Sequence, residues 1–201
     1  MDRKVTVTVL ALALLMTFSA VAPVLASQPK TTCQWAEIDI SINPGTQWVT
    51  DISILHQRGS QASNWMFGYP GGNTPINAPG IVTGNANINL ATLSGNGVSK
   101  FSDSFLGGTL EGNTVWKATG AGPILYDGID IASGPFPLAH DTPLGGLLFK
   151  GTFESHGTGE LEGIKVVGEY VGVALSLPDG TPIGINVVWG TATYMVTGSG
   201  K

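Results

Sequence analysis

From residue 30 onward, only Lys30 to Asn43 and Thr46 to Arg58 run for more than twelve residues without a glycine or a proline. A glycine inside a helix costs about 1 kcal/mol relative to alanine, and a proline about 3 kcal/mol. A chain interrupted this often does not build long helices, coiled coils or helical bundles. Both uninterrupted windows also alternate with period two rather than 3.6. In the first, Ile38, Ile40 and Ile42 point one way and Glu37, Asp39 and Ser41 the other, the pattern of a half-buried strand. In the second, Trp48, Ile52 and Ile54 oppose Asp51 and Ser53. Asn43-Pro44-Gly45 lies between the windows as a turn signal, which predicts a hairpin.

The same alternation returns along the chain. After a polar stretch from Gln57 to Gly80, Ala86, Ile88 and Leu90 oppose Asn85, Asn87 and Asn89, giving a third strand over Val82 to Leu90. Val98 to Leu106 and Thr109 to Ala118 form a second predicted hairpin around Gly107-Gly108. Gly120 to Pro143 reads as loop. Leu147 to Ser155 places Leu147, Phe149 and Phe153 on one face and Lys150, Thr152 and Glu154 on the other. Glu160 to Leu175 and Ile183 to Thr197, joined through Pro178-Asp179-Gly180, complete the set. Val187-Val188-Trp189 in the last strand predicts a central position buried on both faces. About eight strands and almost no helix predict an all-β fold, a single antiparallel β-barrel over residues 27–201. The barrel is preferred to a sandwich because closure removes exposed edges. Gly151, Gly168, Gly172 and Gly190 inside strands predict bulges and sharp bends.

The composition falls on the folded side of the boundary with disorder. All 29 glycines follow residue 26, where they make up about 17% of the chain, and glycine plus proline is about 23%, below the roughly 25–30% at which disorder is the default. With 42% hydrophobic residues the chain can build a core. Nine Lys and Arg against fourteen Asp and Glu cannot supply the basic footprint that a phosphate backbone requires, so nucleic acid is excluded as a partner.

Asp2, Arg3 and Lys4 precede an apolar run from Val5 to Ala22, and Val24-Leu25-Ala26 carries small residues at the positions a signal peptidase reads. Residues 1–26 are therefore expected to be a secretory signal peptide cut after Ala26, an uncleaved anchor being the alternative. The remainder is expected to be soluble, free of the membrane and extracytoplasmic, secreted or at the cell surface. Cys33 is the only cysteine, which excludes an intramolecular disulfide. It is expected to be a half-buried small hydrophobe, a thiol pairing between chains being the alternative.

Gly108-Thr109-Leu110-Glu111-Gly112 is echoed by Gly151-Thr152-Phe153-Glu154 and by Gly157-Thr158-Gly159-Glu160-Leu161-Glu162-Gly163, followed by Gly168-Glu169-Tyr170. This repeated Gly-Thr-x-Glu resembles the strand pattern of secreted proteins with the allene oxide cyclase and dirigent type of β-barrel, over residues 105–197. The resemblance implies an eight-stranded antiparallel barrel, and some members of that group handle small apolar molecules inside it. No catalytic residue of the group matches a position here.

The standard chemical signatures are absent: no Gly-x-Ser-x-Gly elbow, no His-Glu-x-x-His, no phosphate loop and no cysteine pair. Glu154 and His156 share a face with Lys150 and Thr152 and read as solvated surface. His140-Asp141 reads as a surface turn, and Asp127 and Asp130 lack the spacing of a calcium loop. No catalytic residue, metal site or cofactor is expected. Two polar residues do lie on apolar faces: His56 continues the parity of Trp48, Ile52 and Ile54, and Asp103 sits between Phe101 and Phe105. A buried charge needs a partner, so both are candidates for lining a small-molecule cavity. The alternative places His56 at the rim and turns Asp103 outward after a bulge. The leading functional expectation is a noncatalytic barrel that binds an apolar or amphipathic small molecule. A surface protein acting through Gly- and Asn-rich loops and a barrel cyclase or isomerase are the alternatives. A cavity would separate the first and third from the second.

Overall fold

The computed structural model describes residues 30–50, 52–68, 78–132 and 135–197, all β and irregular structure with no helix among them. The predicted signal peptide lies outside the described residues. The strands are β1 (Lys30–Asn43), β2 (Thr46–Val49), β3 (Ile54–Phe67), β4 (Ala78–Asn89), β5 (Ser94–Phe105), β6 (Gly108–Leu125), β7 (Pro143–Gly159), β8 (Ile164–Ser176) and β9 (Pro182–Val196). Eight of them close into an antiparallel barrel in the order β1-β9-β8-β7-β6-β5-β4-β3, sealed by β1 against β3, and β2 extends the other end of β3.

The hairpin predicted at Asn43-Pro44-Gly45 is not formed. β1 and β2 both run antiparallel to β3, β1 against Gln61 to Phe67 and β2 against Leu55 to Arg58, so Pro44-Gly45 is a kink in one long line of pairing. Gly45 takes φ 68°, and a Cβ there would sit 2.2 Å from the Arg58 carbonyl oxygen. β3 shifts register between Gln57 and Ser60 at the same level. The reversal comes later, where the Ser53 N–H donates to the Thr50 carbonyl at 2.9 Å and the Thr50 N–H to the Ile54 carbonyl at 3.0 Å. Turn chemistry favours a sharp bend, and the partner strand decides whether that bend becomes a hairpin or a bulge.

The polar stretch from Gln57 to Gly80 and the segment read as loop are partly strand. β3 continues to Phe67 through the polar stretch, and residues 69–77 lie outside the described residues. β6 and β7 extend toward each other until only 126–142 separates them, with Gly122 opposite Gly146 and Pro123 opposite Gly145. The hairpin around Gly107-Gly108 forms as expected. Leu106 and Gly107 take φ 51° and 78°, the positive pair that matches the twist of a two-residue hairpin.

Two strand glycines, Gly59 and Gly120, lie at register shifts, but the four singled out in the sequence do not mark bulges. Gly151, Gly168, Gly172 and Gly190 pair regularly across the sheet. Their partners are large: Tyr170 opposite Gly151, Phe153 opposite Gly168, Phe149 opposite Gly172, and both Trp35 and Tyr170 opposite Gly190. Phe101 opposite Gly112 and Trp116 opposite Gly97 repeat the pattern. One line of register partners around the wall reads Trp35, Gly190, Tyr170, Gly151, Trp116, Gly97, Ala86 and Gln57. Large and small side chains thus alternate to fit the taper of a small barrel. At Gly97 an added Cβ would lie 2.2 Å from two atoms of the Trp116 ring. Gly97→Ala is therefore expected to destabilise by about 1–3 kcal/mol in urea unfolding, as overpacking does. In a Trp116→Leu background the same substitution should cost under about 0.5 kcal/mol. Equal costs in the two backgrounds would contradict the ring-over-glycine account.

The barrel wall is buried on both sides where β9 crosses it. Val188 faces the interior cluster, which includes Trp35, Met66, Leu110, Val166 and Tyr194. Val187 and Trp189 face outward into a second cluster with Ala36, Ile38, Phe67, Val173, Tyr126 and Ile131. The cover on this outer cluster is the segment 126–142. It is closed on itself by Ile131 and Leu138, which exchange backbone hydrogen bonds at 2.8 and 2.9 Å, and by the Asp141 N–H donating to the Tyr126 carbonyl at 2.9 Å. The Tyr126 ring meets Trp189 edge-on, with centroids 5.1 Å apart.

Candidate ligand-binding site

Because Ile38 belongs to the outer cluster, the alternate residues of β1 point into the barrel, so Glu37 and Asp39 line the interior with Trp35. There they border a cavity of about 210 Å³. Rings from β6, β7 and β8 form one wall, among them Trp116, Phe149, Phe153 and Tyr170. They pack through tilted and edge-on contacts that also take in Trp35 and Phe101; Trp35 and Phe153 have centroids 5.1 Å apart. Across from them, β1, β5 and β9 contribute Glu37, Asp39, Asp103 and Asn186, with Asn64 of β3 behind Asp103.

Asp103 is 1% exposed, and its Oδ1 accepts a 2.5 Å hydrogen bond from Asn64 Nδ2. The contact depends on Gly80, the register partner of both, where a Cβ would come 2.2 Å from Asp103 Oδ1. Burial pushes the Asp103 carboxyl up to about 7; the bond from Asn64 offsets part of this, and the charge of Asp39 adds to it. Burial likewise raises Asp39, against the hydrogen bonds from Glu37 and Asn186, the latter donating from Nδ2 to Oδ2 at 3.4 Å. Glu37 is held well above the ordinary carboxyl range, first by burial and then by the charges of Asp39 and Asp103. No Lys, Arg or His is among the described residues lining the cavity.

Several buried polar atoms have no hydrogen-bond partner: Trp35 Nε1, Asp39 Oδ1, Asn64 Oδ1 and Ser155 Oγ. Trp35, Asp39 and Ser155 line the cavity and Asn64 adjoins it through Asp103. Leaving such a group unsatisfied costs roughly 1–3 kcal/mol, so a concentration of them around one space marks where a hydrogen-bonding guest would gain most. Tyr170 is already engaged, its hydroxyl 2.5 Å from Thr114 Oγ1. Cys33 is half-buried, and burial raises its thiol above the ordinary value, which makes it a poor nucleophile.

The structure places Asp103 in the cavity wall and does not bring His56 to it. β5 holds its register against both neighbours, so no bulge turns Asp103 outward. His56 points away from the interior, which its neighbour Gln57 lines. It stacks on Trp48 at 5.0 Å and 14°, its Nδ1 lies 2.7 Å from Asn87 Oδ1, and the Arg58 guanidinium covers the same indole at 5.5 Å. Of the other histidines, His140 lies exposed between Asp127 at 2.8 Å and Asp141 at 3.2 Å, which hold its imidazole above the ordinary range. His156 is exposed, and Glu154 pairs with Lys165 at 2.7 Å. Among the described residues no three His, Cys, Asp or Glu side chains converge as metal ligands would. Sequence reasoning missed Glu37 and Asp39. The signal available was their shared parity with Trp35, which places an aromatic on the acidic face of β1.

No protein-family model, curated protein or solved structure matches this chain.

Proposed function

We propose that the barrel is an extracytoplasmic binding module that takes a small amphipathic molecule into its interior. The observation that carries this reading is the cavity of about 210 Å³, with an aromatic wall on one side and a polar patch holding unpartnered atoms on the other. A void of roughly 150 Å³ accommodates benzene, so this one suits a guest somewhat larger than a single ring. Apolar lining with a few placed polar groups is the usual composition of such sites. A barrel filled by its own side chains, as a protein acting only through its loops would have, leaves no such space. The resemblance of residues 105–197 to allene oxide cyclase and dirigent-type barrels supports the same reading, since some of those barrels handle small apolar molecules. Native mass spectrometry of the protein purified from its own host tests it. A small organic adduct that leaves on unfolding is expected. A bare protein mass, together with no quenching of Trp35 and Trp116 emission by any aromatic or aliphatic probe, would overturn the proposal.

A further inference from the structure

We infer that the guest is an organic amine, its ammonium received by Asp39, Asp103 and Asn64 and its apolar body by the rings of the opposite wall. The inference rests on the reading of the cavity as a ligand site and adds the chemical class of the ligand. Glu37, Asp39 and Asp103 face one interior space that no cationic side chain enters among the described lining residues. Carboxyls gathered in this way lack the charge that would compensate them. Two acceptors beside them are nine-tenths or more buried and unpartnered: Asp39 Oδ1, in a residue 7% exposed, and Asn64 Oδ1, in a residue 0% exposed. Asp39 and Asn64 are direct register partners between β1 and β3, so their side chains sit side by side. An ammonium carries three N–H donors and no acceptor, the complement of such a pair. A bare metal ion does not fit, because the acidic groups do not converge as a ligand set.

The other polar groups lining the cavity are Trp35 on β1, Gln57 on β3, Ser99 on β5, Thr114 and Trp116 on β6, Ser155 on β7, Tyr170 on β8 and Asn186 and Tyr194 on β9, none of them cationic, and β4 brings only apolar side chains. Burial raises Glu37, Asp39 and Asp103 alike and takes Asp103 to about 7, so affinity for an amine should rise as Asp103 ionises.

The test is calorimetric titration of the full chain with 2-phenylethylamine and with 2-phenylethanol, which share ring and chain length and differ in the terminal group. At pH 8 the amine should bind at least tenfold tighter than the alcohol. At pH 5, where Asp103 holds its proton, the preference should fall below threefold. Asp39→Asn with Asp103→Asn should likewise reduce the preference at pH 8 to below threefold. The comparison on the unsubstituted protein stands whether or not the double variant folds. Equal or tighter binding of the alcohol at pH 8 overturns the amine assignment and leaves the cavity reading intact. Failure of both probes, with the protein folded, overturns both.

Discussion

Asp103→Asn is expected to stabilise the protein at pH 8, by roughly 2–4 kcal/mol, and to change its stability little at pH 4. The native carboxyl is lifted from about 3.9 in an unfolded chain to about 7 in the barrel, chiefly by burial. Below pH 4 both states hold the proton and the group is neutral to folding. Between pH 4 and 7 the folded state binds more protons than the unfolded one, so stability falls as pH rises. Above 7 the full cost of a buried carboxylate is present, and about three pKa units correspond to about 4 kcal/mol. Asparagine cannot ionise, and its amide oxygen can still accept the hydrogen bond that Asn64 donates. Glu37 and Asp39 shift in the same direction, so the variant should keep a shallower slope. Urea unfolding at pH 4, 6 and 8 measures this. A native protein whose stability rises from pH 4 to 8, or an Asn variant weaker at pH 8, would contradict the placement of Asp103.

Trp189→Ala is expected to cost about 3–5 kcal/mol, the range for removing a large aromatic from a core. In an ordinary barrel an outward residue on this wall would face water, and its truncation would cost little. Here Trp189 is 4% exposed, wedged between the wall and Tyr126 under the segment 126–142. Its loss would remove the edge-on ring contact and leave a void that the two-sided wall cannot close. The segment should also loosen, so limited proteolysis between residues 126 and 142 should accelerate along with the drop in urea midpoint. Unchanged stability would mean that the outer cluster is not a core.

Period-two alternation made the strands and the closed all-β fold legible in the sequence, because it follows from local backbone geometry. It did not reveal which face of each strand turns inward. On β1 the apolar face of Ile38 is buried outside the barrel, beneath a segment more than eighty residues later in the chain, and no local pattern encodes that cover. The same distance effect hid the role of the glycines, since each is explained by the aromatic opposite it on another strand. Asp103 stood out because it lies between aromatics on its own strand. Asn64, Ser155 and Asn186 did not, because a polar residue in an alternating strand ordinarily marks the solvent face. His56 misled for a related reason. A turn at Thr50 to Ser53 and the register shift in β3 separate its parity from that of the interior positions.

The barrel interior holds carboxyls, and no cationic side chain among the described lining residues compensates them. Titration of the ligand-free protein followed by carbon-13 NMR of the aspartate carboxyls tests it most directly. The structure predicts a midpoint near 7 for Asp103, moving downward when an amine is bound. A midpoint near the ordinary value of about 3.9 would show that Asp103 meets water or a cation, and would contradict the account.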